Sequence, residues 1–332
     1  MANVKVSVCM AYYNRSEYVL ECVDSLLRQD YDSYEVIVVN DGSSDPLTGT
    51  LLDSIQDDRL TVIHQNNTGF VGAIRKAIDS SSGEYIAIQG AGDISLPERI
   101  KSQADSLDND SQIGIVSCLF ENVDFGGNNN GNRTKRSYTN HNITAYDFLS
   151  GANPFGHGEV MFRRDLYEKV GGYRPFFKFS QDLDLWLRMI DYCKVEIIQE
   201  YLYERRKFAK DGVSTDEKKL FVQKYLAEFS RQCYRDRLKY GRDLVDDFGF
   251  QAGLLNVPNK QISLLLASRI ISSIRKGDDA SVAFYSRFTK SAPLTIKFSI
   301  ASLLIFLNKN KIGRNLINIV FKIYKSKNKT YS

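Results

Sequence analysis

The chain is poor in histidine, scatters its cysteines and lacks any long apolar run. Three histidines in 332 residues (His64, His141, His157) form no cluster, which argues against a zinc site. The five cysteines lie far apart, with no CxxC and no metal-ligand spacing. An odd count in a long chain points to the reduced thiols of a cytoplasm rather than to a disulfide frame. No apolar run reaches the roughly 18 residues of a spanning helix. Strand-like residues begin at Val4, so no signal peptide is expected. G-x-G-x-x-G and G-x-x-x-x-G-K-[ST] are both missing, which disfavours a dinucleotide dehydrogenase and a P-loop NTPase. Acidic residues are missing from the end: none follows Asp279, while ten Lys and Arg lie beyond Ser281. The rest of the chain carries 34 basic against 40 acidic residues, so the net charge of +4 hides an acidic body and a basic tail. Such a tail suits an acidic partner, anionic lipid or nucleic acid.

What is present is alternation. Strand patterns at 4–10, 34–39, 60–64 and 85–88 are separated by helical spacings at 16–29, 47–55 and 69–79, with Ser16 as an N-cap. This predicts an α/β fold with a mostly parallel sheet and helices on both faces. Further strands are expected at 113–120, 160–162 and 196–205, and helices at 146–149, 164–170 and 182–192. The Gly/Asn-rich stretch from Asp124 to Arg136 reads as an exposed loop. After about Ser214 every pattern is helical: 220–240, 260–274, 278–290, 294–307 and 312–324. The expected division is a body over 1–214 and a helical, basic region over 215–332.

Three loops leave the carboxyl ends of early strands, where open α/β sheets bind ligands: Ala11 to Asn14, Asn40 to Asp45 and Gln89 to Asp93. Asp41 can accept from a base N–H or a ribose hydroxyl, and Ser43 and Ser44 add hydroxyls. Gly90-Ala91-Gly92-Asp93 has two readings. Its small residues leave room for a ligand beside a lone carboxylate, or Asp93 caps a helix over 96–106 in a tight turn.

Four separated motifs agree with one family. Val6-Ser7-Val8 with Tyr13-Asn14, then Glu35 to Asp45, then Gly83 to Ala87 with Gly92-Asp93 and Pro97-Glu98-Arg99-Ile100 resemble the family 2 glycosyltransferases. Gly171-Gly172-Tyr173 with Gln181-Asp182-Leu183-Asp184-Leu185-Trp186-Leu187-Arg188 matches that family's later acidic motif. The resemblance covers residues 4–214. It implies the GT-A fold, a nucleotide-sugar donor and transfer with inversion to a hydroxyl of a growing glycan or lipid-linked acceptor. The setting it implies is bacterial surface polysaccharide synthesis (lipopolysaccharide or capsule) by a hexosyl- or deoxyhexosyltransferase on the cytoplasmic side.

The resemblance places Asp41 and Tyr13 at the donor nucleotide, where Ser43 adds a hydroxyl, Asp93 at its diphosphate, His157 near the acceptor and Asp182 as catalytic base; a lone histidine such as His157 also reads as structural. An inverting displacement needs one carboxylate beside the acceptor hydroxyl to take its proton. Asp182 can also be the N-cap of its helix, and the two roles are compatible. Asp184 reads as the structural partner of Arg188 at i,i+4. One departure concerns the cofactor. Where relatives carry Asp-x-Asp-Asp this chain has Gly90-Ala91-Gly92-Asp93, and the histidine common near Phe208 is missing. Either Asp93 holds a manganese or magnesium ion, or the site works without metal and Arg75, Arg205, Arg206 and Lys207 answer the diphosphate. A sugar-nucleotide-binding homologue without turnover is the alternative. Nucleic acid is not expected, since the tail lacks the pattern of RNA-reading modules. The basic tail instead suits a peripheral position on an anionic membrane.

Overall fold

The computed structural model describes residues 4–125, 131–136, 138, 142–151, 153–208, 217–255, 259–288, 293–310 and 312–319. The chain divides into two compact units, Met1–Phe250 and Gln251–Ser332.

The first unit is built on one sheet. In chain order it contains β1 (Val6–Tyr12), α1 (Val19–Leu27), β2 (Tyr34–Asp41), α2 (Pro46–Ser54), β3 (Leu60–Gln65), α3 (Phe70–Asp79), β4 (Tyr85–Gln89) and β5 (Ile94–Ser95). There follow α4 (Arg99–Asn109), β6 (Ile113–Phe125), β7 (Arg133–Arg136), α5 (Ala145–Leu149), β8 (Met161–Arg163), α6 (Arg164–Lys169), α7 (Gln181–Met189) and β9 (Lys194–Phe208). Helices α8 (Glu217–Tyr240) and α9 (Leu244–Phe248) complete it. The sheet order is β3-β2-β1-β4-β8-β6-β9-β5, with β7 on the side of β6. Strands β1 to β4 are parallel, β8 runs against β4 and β6, and β6 and β9 pair in parallel.

The central strands are apolar on both faces, as a sheet covered on both sides requires. Val6, Val8, Met10 and Tyr12 of β1 point to one core with Val36 and Val38, filled from α1 and α4. Cys9, Ile37, Val39, Ile86 and Ile88 point to the other, filled from α3 and by Trp186 of α7. β1, β2 and β4 therefore end on one rim, with Tyr12 beside Asn40 and Met10 beside Gln89.

Several expectations change. Ser16 opens a short 3-10 turn, Ser16–Tyr18, and the α-helix begins only at Val19. Arg15 at φ 61° makes that entry too tight for a helix started at Ser16. Asp93 caps nothing: α4 begins at Arg99. The residue before α7 is Ser180 at φ 56°, so Asp182 sits inside its first turn and is not the N-cap. Within 124–136, residues 133–136 form a strand on β6, where Arg133 pairs with Glu121 at 2.9 Å. Residues 126–130 lie outside the described residues.

The expected boundary at Ser214 also lies outside them. α8 packs on the sheet unit: Phe229 meets Phe176 at 5.2 Å between ring centres, and the Tyr234 hydroxyl donates to Asp191 at 2.7 Å.

The second unit contains α10 (Ala252–Leu255), α11 (Lys260–Lys276), α12 (Asp279–Ser286), α13 (Ile296–Leu307) and α14 (312–319). Asn259 caps α11 at Ile262 N–H, and Gly277 in the left-handed region ends it. Ile262, Leu266 and Ile270 of α11 are buried, as are Phe298 and Ala301 of α13. The expected continuation of the last helix to 324 falls outside the described residues. Among the described residues no helix is long and apolar enough to cross a membrane.

Candidate active site

The loop after β1 is held to the loop after β2. Asn14 N–H donates to Ser43 Oγ at 2.9 Å, and the Ser43 hydroxyl donates to Asn40 Oδ1 at 2.6 Å. Asn14 Oδ1 accepts from Asp45 N–H at 3.1 Å. Asn14 and Arg15 both take positive φ, 57° and 61°, a strained pair that this network over-determines. Asp41 is buried; its Oδ1 accepts from Gln65 Nε2 at 2.7 Å and from Thr68 N–H at 2.8 Å. The carboxylate is thereby fixed at the rim beside Ser43, with Tyr13 exposed on the neighbouring loop.

The loop after β4 is anchored by β9. Asp93 Oδ1 accepts from Arg206 N–H at 2.8 Å, and its Oδ2 accepts from the Tyr203 hydroxyl at 2.7 Å. The same hydroxyl accepts from Gly90 N–H at 3.0 Å. Burial pushes the Asp93 carboxyl above the usual range, against the Arg206 N–H, the Tyr203 hydroxyl and the guanidiniums of Arg205 and Arg15.

Beside this loop opens a cavity of about 730 Å³. Gly90, Asp93, His157, Asp182 and Arg205 all line it. Asp182 enters on the first turn of α7, set by the left-handed Ser180, whose hydroxyl donates to the Gln223 carbonyl of α8 at 2.8 Å. Asn153 Nδ2 donates to Asp182 Oδ2 at 3.4 Å. His157 Nε2 lies 2.6 Å from the Tyr173 hydroxyl, and its ring stands edge-on to Phe70 at 5.1 Å. Burial lowers the imidazole pKa, opposed by Asp182 and Glu159. Arg205 is held from behind: fully buried Glu159 reaches its Nη2 at 3.1 Å and accepts from Gly156 N–H.

The model of the family described as glycosyl transferase family 2 matches residues 7–171. EpsE of Bacillus subtilis (strain 168), described as a glycosyltransferase, is 31% identical over 214 residues, 61% of this chain and 73% of that one. The chain belongs to glycosyltransferase family 2. The O-antigen biosynthesis glycosyltransferase WbnJ of Escherichia coli is 32% identical over 193 residues, 57% of this chain and 72% of that one. S. aureus TarS 1–349 in complex with UDP-GlcNAc superposes with a TM-score of 0.55 at 15% identity, over 86% of this chain and 91% of that one. The fold of this glycosyltransferase is therefore GT-A, followed by C-terminal helices.

Within the enzyme the expected site residues divide by place. Asp93, His157 and Asp182 meet at the cavity, while Tyr13, Asp41 and Ser43 sit on the two adjoining loops. Arg75 is exposed on α3 and is not among the cavity residues. Arg205 is among them; Arg206 instead pairs with Glu21, and Lys207 lies 3.9 Å from Asp124. Arg15, Glu159 and Tyr203 carry no motif signal. Their roles come from contacts with residues 46 to 113 positions away, although an acid in the apolar run Glu159-Val160-Met161-Phe162 is itself unusual.

The family's divalent metal does not fit these residues. Both oxygens of Asp93 are engaged by the protein, and Gly90 and Gly92 offer no carboxylate. A Cβ at Gly90 would collide with Asp93 Oδ2. Gly92 has φ 87°, and a Cβ there would stand 3.0 Å from the Phe208 ring. Among the described residues no group of three His, Cys, Asp or Glu could hold a metal ion.

Proposed function

We propose that the enzyme moves a sugar from a nucleotide-sugar donor to a hydroxyl of a growing glycan or lipid-linked acceptor in bacterial surface polysaccharide synthesis, with inversion. The observation that carries this is Asp182 in the cavity that Gly90 and Asp93 also line, next to the loops of Asp41 and Ser43. Nucleotide binds on those loops, Asp41 reading its base or ribose. The sugar extends into the cavity, and Asp182 takes the proton of the incoming hydroxyl as the diphosphate departs. His157 shapes the acceptor side. The glycosyltransferase relatives and the UDP-GlcNAc-bound TarS support a donor of this class.

A thermal-shift panel of UDP-, GDP-, dTDP- and CMP-sugars tests the donor. At least one raises the melting temperature, and none doing so would contradict the reading. Asp41→Ala should weaken binding of that nucleotide by roughly tenfold, the worth of one charged hydrogen bond. An unchanged dissociation constant would remove Asp41 from the donor site. Gly90 and Gly92 favour a second reading, donor binding without turnover; release of nucleoside diphosphate in the presence of acceptor would exclude it.

For the second unit the reading is a peripheral place on anionic lipid. Ile296, Ile300, Leu303 and Phe306 are exposed along one side of α13, and Ile312, Leu316 and Ile319 along α14. Basic residues flank these stripes and no acid follows Asp279. A second copy docking through the same face would set like charges together. Full-length protein should sediment with phosphatidylglycerol vesicles and not with neutral ones. The double variant Leu303→Glu, Phe306→Glu should lose more than about tenfold in partitioning, since each side chain contributes about 2 kcal/mol when immersed. Equal sedimentation of parent and variant would leave this face without a membrane role.

A further inference from the structure

Beside Gly92 the space is taken by an aromatic ring, and a guanidinium lies over that ring. Phe208 lies against Gly92 and packs on Tyr18 with ring centres 4.7 Å apart. The Arg15 guanidinium stands over the Phe208 ring at 4.2 Å and donates through Nη1 to the Ala91 carbonyl at 2.7 Å. It is thus fixed on the 90–92 loop from two directions, on a backbone already held at positive φ. On the cavity side of the same loop stands Arg205, braced by Glu159 and with its guanidinium 4.2 Å from the centre of the Phe120 ring. Two planar, permanently charged forks therefore flank the loop that carries no carboxylate at Gly90 or Gly92.

We propose that these guanidiniums, Arg15 first, neutralise the donor diphosphate in place of a divalent cation, so that nucleotide binding and sugar transfer need no metal. The inference rests on the nucleotide-sugar reading above. A divalent ion between protein and diphosphate needs anionic oxygens on the protein side. Here Asp93, which could supply them, is spent on holding β9 to the loop. A guanidinium needs no such ligands: it meets phosphate oxygens directly, two at a time, and its charge survives at any working pH. In the departing step the same forks take up the negative charge that grows on the leaving diphosphate. No carboxylate at Gly90 or Gly92 is then required, and those positions are free to be small.

The test is calorimetric titration of full-length protein with UDP, GDP and dTDP in turn, once in EDTA and once with manganese. The best-binding diphosphate is then compared with its own nucleoside. Affinity in EDTA should fall within about tenfold of that in manganese, and the diphosphate should bind at least about tenfold more tightly than the nucleoside in EDTA. Arg15→Gln should remove roughly tenfold of the diphosphate affinity and none of the nucleoside affinity, with Arg15→Lys between the two. The diphosphate-to-nucleoside ratio of the parent needs no variant to fold. A gain of tenfold or more on adding manganese would overturn the proposal and leave the donor reading standing. Equal diphosphate binding by parent and Arg15→Gln would overturn it as well. Binding of no diphosphate in either medium would overturn both.

Discussion

Asp182→Asn should abolish sugar transfer, with an expected loss in kcat of at least about a hundredfold and a change in nucleotide affinity of less than about threefold. The asymmetry follows from where the side chain stands. Asp182 lies on the first turn of α7 and faces the cavity, whereas the nucleotide loops follow β1 and β2. An inverting displacement makes the acceptor oxygen attack from the side opposite the leaving diphosphate, so the group that takes its proton need not touch the nucleotide. Asparagine keeps the shape and the contact from Asn153 but cannot accept a proton. Its turn is fixed independently by Ser180 and its bond to α8. Turnover within tenfold of the parent would remove Asp182 from the base role.

Asp184→Ala has the largest expected effect on stability. Two residues after Asp182, this carboxylate is 1% exposed and lies between two guanidiniums. Arg188 Nη2 reaches Oδ2 at 2.9 Å, and Arg174 pairs with Oδ1. Arg174 in turn holds Asp243 at 2.9 Å, and Asp243 also pairs with Arg237 of α8. Burial alone would raise the Asp184 pKa, but Arg188 and Arg174 outweigh it and hold the carboxyl below its usual range. Alanine leaves both guanidiniums buried without their shared anion, a loss of about 3–5 kcal/mol. For a unit of this size the melting temperature should fall on the order of 10 °C. The folded pKa is depressed, so the stabilisation is present above the ordinary carboxylate value and disappears as pH falls through the folded one. The gap between parent and variant should therefore begin to narrow only as pH falls below the ordinary carboxylate value and go on narrowing through the lower folded one. A gap that persists unchanged there, or a shift under about 2 °C at neutral pH, would show the network to be dispensable.

The early part of the fold was legible because its signal is local. Val6, Val8 and Met10 alternate with Ser7 and Cys9 in a strand covered on both faces, and the helices between such strands show their apolar spacing directly. β7 was not legible. Its residues are Arg-Thr-Lys-Arg, and its pairing is supported by ion pairs to Glu121, an edge strand without an apolar face. The attachment of α8 was hidden for a different reason. An amphipathic helix has the same periodicity whether it packs on a sheet or on other helices, and Phe229 and Tyr234 do not say which. At the site, Asp182 and the glycine loop stood out by motif, and His157 only by its place in the resemblance. The work given to Asp93 did not, because its partners Tyr203 and Arg206 lie 110 and 113 residues away. Arg15 gave no sign either: its importance lies in a left-handed backbone and a ring, Phe208, brought over from β9.

The most direct test of the central claim is the anomeric configuration of the product. The enzyme is incubated with the nucleotide sugar that stabilises it most and a lipid-linked or oligosaccharide acceptor, and the new linkage is read by proton NMR. A single displacement assisted by Asp182 predicts inversion, a β-linked product from an α-linked donor. A product that retains the donor's configuration would contradict the account.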